Sequence, residues 1–349
     1  MARSKAALGW GYYLRFLLTK SFPDKASALS YCDQATSLSG NDPEVLLMCG
    51  KVATLLGNLD KAISNFQRVL QQRAEDAGAV LALARAYEFK GEFIKAEETY
   101  LQASKLRPAY WDVYNQLGAF YFDRGEFDKA EASWRKVTEL LDTNPCGFNN
   151  LGSALLYQER FDLAIKAYRD ALNRKPISET YLSLGTAYLF RDDCARAIEE
   201  FRKGKALNPD EPEVWGAEGD ALSCKSGSTA QIGEVYNQAI LLLTQQDISG
   251  DADYLSLLAE WQARRNNKKL ALQKIEEALL LEPDNYDCII SAIKVYKLTN
   301  EPEKLMIQFE KAIKNRKSLF EVEHDPLVKE IIQQPQYRNL IEQQKSKRG

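Results

Sequence analysis

The sequence predicts an all-α fold in which about nine helix-turn-helix repeats stack into a solenoid. The first observation is a period of 34 residues, which separates the small residues Ala62, Ala96, Ala130 and Ala164. The second lies within residues 111–141, which hold two stretches with apolar side chains at helical spacing. Each stretch spans roughly 14 residues and is marginal as an isolated helix. Copies of the unit must therefore bury their apolar faces against each other.

The array is expected to cover residues 9–319, after a leader of residues 1–8. Its units begin near Gly9, Pro43, Ala77, Trp111, Pro145, Ser178, Pro212, Ala252 and Tyr286. The first unit is atypical, because bulky Phe16 stands where the following units carry Gly or Ala. In the regular units a small residue such as Gly118 marks a close approach of two backbones. Gly125 suits the left-handed backbone that often ends a helix.

The later units depart from the strict period. The polar stretch from Thr244 to Asp251 is typical of a longer surface loop. Residues 320–349 form a C-terminal capping segment with a frayed basic end. Within it, Asp325-Pro326 starts a helix, and apolar side chains such as Ile331 are expected to cover the final repeat.

Two units carry the repeat pattern most clearly. They are Tyr114-x-x-Leu117-Gly118-x-x-Tyr121 with Ala130 and Trp134, and Tyr181-x-x-Leu184-Gly185-x-x-Tyr188 with Ala197 and Phe201. This pattern resembles the tetratricopeptide repeat (TPR), and six consecutive units keep its phase. The resemblance implies a right-handed superhelical solenoid whose concave face is lined by the first helix of each repeat. The tail resembles those of bacterial TPR arrays, including arrays fused to signalling enzymes.

Composition narrows the function classes. The formal net charge of −3 gives no general attraction to nucleic acid or to anionic membranes, since both favour basic surfaces. The sequence has no run of about 20 apolar residues, so we expect no membrane insertion and a cytoplasmic location. The six cysteines form no CxxC motif and are expected to be reduced structural thiols.

Catalytic chemistry has little support in the sequence. His324 is the only histidine, so a histidine-dependent nucleophile would have to use it. Its position just before an Asp-Pro helix start favours a capping or surface role. Carboxylate pairs such as Glu97-Glu98 are typical of solvated helix faces. We therefore expect no enzyme, no catalytic residues, no metal and no cofactor.

Binding of another molecule at the surface is the function class that remains, and the first helices supply the candidate residues. We expect a peptide-binding groove formed by Lys51, Arg85, Phe89, Asn115, Gln116, Asn149, Asn150, Ser153, Tyr157 and Phe190. The four amide side chains can both donate to and accept from a peptide backbone. The aromatic side chains offer sockets for apolar groups, and the two cations offer charge. The alternative is that the polar residues are merely solvated and that the aromatic residues pack between helices.

The sequence thus predicts a non-enzymatic scaffold or adaptor that binds a protein or peptide partner in its concave groove. The alternative is a sensory or regulatory TPR region of a larger signalling enzyme. A homodimer through the terminal repeats is a separate expectation, in which the imperfect first unit, Gly9 to Leu38, buries Trp10 and Tyr13 against a second copy.

Overall fold

The computed structural model describes residues 1–19, 21–225, 227–245, 250–314 and 316–346. Over these ranges the protein consists of 21 α-helices and one 3-10 helix, with no strand. The predicted all-α fold is therefore confirmed. Residues 246–249 of the expected loop and residues 347–349 of the expected basic end lie outside the described residues. The chain forms two compact units, Met1–Phe120 and Tyr121–Gly349.

Unit 1, Met1–Phe120, contains three complete helix pairs and most of the helix that follows them. Its helices are α1 (Ala2–Thr19), α2 (Phe22–Leu38), α3 (Pro43–Leu55), α4 (Leu59–Gln72), α5 (Ala77–Phe89), α6 (Phe93–Leu106) and α7 (Trp111–Asp123), which crosses the boundary. In each pair the odd-numbered helix is called the first helix, and the surface formed by successive first helices is called the first-helix face. Residues 1–8 are expected as a leader, and residues 2–8 of them belong to α1.

Unit 2, Tyr121–Gly349, continues the same alternation of first and second helices. It contains α8 (Phe127–Leu140), α9 (Pro145–Tyr157), α10 (Phe161–Arg174), α11 (Ser178–Phe190), α12 (Cys194–Leu207), α13 (Pro212–Cys224), α14 (Thr229–Thr244), α15 (Ala252–Arg264), α16 (Lys268–Leu281), α17 (Tyr286–Thr299) and α18 (Pro302–Ala312). The tail adds α19 (Arg316–His324), α20 (Pro326–Lys329), a 3-10 helix (Ile331–Gln333) and α21 (Pro335–Ser346).

The two helices of a pair touch where the sequence places a small residue. In the α9–α10 pair, a Cβ added to Gly152 would lie 2.6 Å from the ring of Tyr168. In the α13–α14 pair, a Cβ added to Gly219 would lie 2.7 Å from the ring of Tyr236. A side chain cannot enter this space, so glycine lets the large aromatic residue of the second helix pack directly on the first.

The tail helices pack on the last helix pair of unit 2. Val322, Val328, Ile331 and Tyr337 join one hydrophobic cluster with residues of α17 and α18. The ring of Tyr337 meets that of Phe309 edge-on, with centroids 4.7 Å apart. This packing covers an apolar face that no further repeat would otherwise bury.

Two expectations need correction. Cys194 and Cys224 are joined by a disulfide, so the expectation of six reduced thiols is wrong for this pair. The first residue of α12 and the last residue of α13 are brought together because they lie 30 positions apart, close to one repeat period. Tyr13 is buried in the core of unit 1 itself, with its ring 5.4 Å from that of Trp10. It is therefore not available for a contact with a second copy.

Candidate functional site

Unit 1 contains a cavity on its first-helix face. The cavity has a volume of about 280 Å³ and lies between α1, α3, α5 and the start of α7. It brings together three of the predicted site residues, Lys51, Arg85 and Gln116. Its other lining residues are Trp10, Thr54, Leu55, Phe66, Gly78, Leu81, Ala82, Tyr110 and Asp112.

The cavity combines positive charge with an apolar wall. Lys51 and Arg85 are exposed side chains, and the Arg85 guanidinium lies 5.2 Å from the ring centroid of Phe89, a further predicted site residue. Gln116 donates a hydrogen bond from Nε2 to Asp112 Oδ2 at 2.9 Å. Two cations thus face one carboxylate, so an anionic group entering the cavity is favoured electrostatically.

Nine residues of this cavity are absent from the predicted site, and three of them show why. Trp10 is expected in a dimer contact, and the structure also places it in the lining of the cavity. Tyr110 precedes the first residue of α7, so a rule based on positions within the first helix could not select it. Asp112 lies at the start of α7, where acidic residues are common because they stabilise a helix N-terminus.

The four predicted site residues with amide side chains lie in different units, two in each. Asn115 and Gln116 lie on α7 in unit 1, while Asn149 and Asn150 lie on α9 in unit 2. Among the described residues, Asn149 Oδ1 is shielded from solvent and accepts no hydrogen bond. Leaving such an oxygen without a donor costs about 1–3 kcal/mol. The Oδ1 atom of Asn149 is therefore not accessible to a ligand in this conformation.

Ser153 is directed toward its own helix pair. Its Oγ lies 3.2 Å from the hydroxyl oxygen of Tyr168 and donates to the Asn149 carbonyl oxygen at 3.3 Å. The hydroxyl therefore contributes to the contact between α9 and α10. The alternative interpretation expects the polar residues to be solvated, whereas Ser153 takes part in the contact within its helix pair.

Unit 2 contains a run of aromatic rings, here called the aromatic row, formed by Phe122, Phe127, Tyr157 and Phe190. Within the row, the centroid of Tyr157 lies 5.0 Å from that of Phe122 and 5.2 Å from that of Phe127. Phe320 of α19 packs on this row, with its centroid 4.6 Å from Tyr157 and 5.5 Å from Phe190. Two predicted site residues, Tyr157 and Phe190, are thus in contact with the chain's own tail.

Polar contacts accompany the aromatic ones. The Tyr157 hydroxyl donates to Glu321 Oε1 at 2.6 Å. Burial raises the pKa of Tyr157 well above its ordinary value, and the Glu321 carboxylate raises it further. Lys329 of α20 forms an ion pair with Asp192 at 2.6 Å. The helices α19 and α20, here called the C-terminal segment, are therefore held to α9 and α11 by both ring and polar contacts.

Asp325 connects the C-terminal segment to α17. Its Oδ1 accepts from the backbone N–H groups of Leu327 and Val328, which caps α20 as the sequence predicts. Its Oδ2 lies 2.9 Å from Nζ of Lys294. Burial by itself would raise the pKa of Asp325, but the Lys294 ammonium outweighs this effect and holds that pKa below its ordinary value.

His324 does not cap a helix, which corrects one expectation. Its ring stacks on Phe320 with centroids 4.4 Å apart and lies 5.5 Å from the ring of Phe161. Its Nδ1 lies 2.9 Å from the Phe320 carbonyl oxygen. The side chain is therefore half-buried among aromatic residues, and Asp325, the next residue, performs the capping.

Comparison with known sequences identifies the repeats. Sequence models of the tetratricopeptide repeat match residues 53–108, 81–145 and 149–212. No curated protein matches the chain. None of the helices in the described part of the chain is long and apolar enough to cross a membrane.

Solved structures resemble the chain at low sequence identity. A thermophilic TPR protein of Thermus thermophilus is 24% identical, with 54% of this chain and 100% of that chain covered and a TM-score of 0.43. The C-terminal part of a TPR repeat-containing protein from Cytophaga hutchinsonii is 16% identical, with coverages of 70% and 98% and a TM-score of 0.48. The Cut9-Hcn1 hetero-tetramer of APC/C is 15% identical, with coverages of 97% and 66% and a TM-score of 0.49.

Proposed function

Because the chain is a tetratricopeptide repeat protein, we propose that it is a non-enzymatic scaffold or adaptor that binds peptide segments of other proteins on its first-helix face. Stacked repeats in general provide extended surfaces for protein recognition. The observation that carries the proposal is the cavity of unit 1, where Lys51 and Arg85 stand beside an apolar wall.

The side chains that line the cavity determine which peptide it prefers. In the proposed complex, a carboxylate of the peptide lies between Lys51 and Arg85, and an apolar side chain of the peptide packs on Leu81; all three residues line the cavity. Trp10 supplies a large flat surface at low conformational cost, as aromatic residues do in many recognition sites. The preferred ligand is therefore an extended peptide with an acidic residue next to an apolar one.

The amide residues support backbone recognition. Gln116 lines the cavity, and its side-chain amide can pair with a peptide group. In unit 2, Asn149 and Asn150 lie on the first helix α9 and carry the same kind of side-chain amide. Such contacts depend little on ligand sequence, so specificity comes from charge and from the apolar wall.

The test begins with a phage-displayed random peptide library selected on the full chain. Selected peptides are then measured against the Lys51→Ala/Arg85→Ala variant by fluorescence anisotropy. We expect enrichment of acidic-apolar peptides and a loss of affinity of about ten-fold or more, since two charged contacts are removed. Raising the salt concentration is expected to weaken wild-type binding, because the cations are exposed.

The matched control is Lys105→Ala/Arg107→Ala, which removes the same charges from exposed positions at the end of α6. This variant should bind the selected peptides like the wild type. Equal losses of peptide affinity in both double variants would mean that binding depends only on the overall charge of the protein. Either that result or a library selection without enrichment contradicts the proposal.

A further inference from the structure

The C-terminal segment extends beyond what an end cap requires. A cap has to cover only the last helix pair, and α21 and the 3-10 helix already pack there. The C-terminal segment also contacts helices that lie far away in sequence: the hydrogen bond between Tyr157 and Glu321 spans 164 positions. It therefore occupies part of the first-helix face of unit 2, at the ends of α9 and α11.

The ring contacts of the segment follow a helical pattern. Phe320 and His324 are four positions apart and present their rings to Tyr157, Phe190 and Phe161. Residues four apart lie on the same side of a helix. The C-terminal segment thus buries one row of rings.

Two carboxylates of the C-terminal segment accompany the rings. Glu321 lies in α19, and Asp325 follows that helix and caps α20. Glu321 accepts from the Tyr157 hydroxyl at 2.6 Å, and Asp325 pairs with Lys294 at 2.9 Å. Lys294 also lies 3.4 Å from the buried carboxylate of Glu260. The surface therefore supplies one hydroxyl donor for an acidic side chain of a helix and one cation for the acidic residue that follows the helix.

We propose that the aromatic row together with Lys294 is a binding surface for a helical segment of a partner protein, which carries two aromatic rings four residues apart, one carboxylate beside them and a second carboxylate directly after the helix. The chain's own C-terminal segment covers this surface until such a partner displaces the segment. The tethered segment competes at a high effective concentration, so it lowers the apparent affinity of any partner. The residues involved differ from those of the unit 1 cavity, so either proposal can fail without the other.

The probe is a fluorescein-labelled synthetic peptide with the sequence of residues 316–330, titrated into the full chain. Wild type is compared with Phe320→Ala/Glu321→Gln, which removes one ring and one carboxylate from the tethered segment. We expect the variant to bind the peptide about ten-fold tighter or more, because the competing segment is weakened. The control chain Gln336→Ala/Gln343→Ala changes exposed residues of α21 and should match the wild type.

A second pair of changes tests the surface itself. In the Phe320→Ala/Glu321→Gln chain, adding Tyr157→Ala/Phe190→Ala should abolish binding of the peptide. If circular dichroism shows loss of helix in that chain, Tyr157→Phe replaces it and should weaken binding several-fold, because it keeps the ring and removes the donor. The proposal is overturned if the peptide binds neither chain, if wild type and variant bind it equally, or if changes in the aromatic row leave its affinity unaltered.

Discussion

Tyr157 is the residue on which the contacts of the C-terminal segment converge. Its ring packs on Phe320, and its hydroxyl donates to Glu321. A buried phenol in this position is stable only in its protonated form, since the phenolate would face a carboxylate in a region of low dielectric. For this reason the pKa of Tyr157 lies well above its ordinary value in the folded protein.

The raised pKa predicts a pH dependence of stability with a definite sign. The contribution of Tyr157 is complete below the ordinary tyrosine pKa of about 10 and is lost as pH rises through the folded-state value. In urea unfolding at about pH 8, wild type should exceed Tyr157→Phe by about 1–2 kcal/mol, the worth of a hydrogen bond to a charged acceptor. By about pH 11 this advantage should shrink by roughly 1 kcal/mol. A difference that stays constant across this range contradicts the assignment.

Single residues also show the limit of sequence prediction. The turn within a helix pair requires a left-handed residue, and Gly125 fills that place with φ of 70° as the sequence predicts. Other turns use Glu159 and Asp192, with φ of 61° and 60°. No side-chain preference indicates this backbone for glutamate. Only the repeat register, counted from the neighbouring turns, could have placed it.

At the scale of elements, a chain of alternating charges links the first helices α13, α15 and α17 to α20. Arg264 lies 2.7 Å from Asp220 and 4.0 Å from Glu260, and Lys294 pairs with Glu260 and Asp325. These side chains are largely buried, so each charge depends on its neighbours for compensation. The C-terminal segment supplies the last member of the series, Asp325.

Removing the central cation tests this network. Lys294→Met should lower the free energy of unfolding by about 3 kcal/mol, because Glu260 and Asp325 lose their shared partner while remaining buried. Adding Glu260→Gln should restore part of the loss, since one uncompensated charge disappears. Chemical denaturation of the two variants and the wild type measures both effects. Additive destabilisation by the second change would contradict the coupling.

The elements themselves could be predicted from periodicity, but the position of the C-terminal segment could not. Eight of the nine predicted unit starts coincide with the first residue of a first helix, from Pro43 to Tyr286. Proline at the first position of α3 and a polar cap before it mark such a start locally. By contrast, nothing near Phe320 in the sequence indicates that its ring packs on Tyr157, because that contact depends on how many repeats stack between them.

At the scale of the whole molecule, the chain presents two compact units, and on the first helices of each we propose a binding surface of different chemistry. Unit 1 offers cations beside an apolar cavity, and unit 2 offers an aromatic row with Lys294. The sequence predicts the class of surface and several of its residues, such as Lys51, Arg85 and Tyr157. It cannot predict which of them line a cavity and which are covered by the tail.

We propose that partner peptides bind first helices and not second helices. The most direct measurement places a photoreactive benzophenone side chain at Phe89 on α5 or at Ile94 on α6 and irradiates the full chain with a library-selected peptide. Both positions are exposed, Phe89 by 49% and Ile94 by 77%, so accessibility alone favours Ile94. We expect a covalent peptide adduct from position 89 and none from position 94. An adduct that forms from position 94 as readily as from position 89 would contradict binding to first helices.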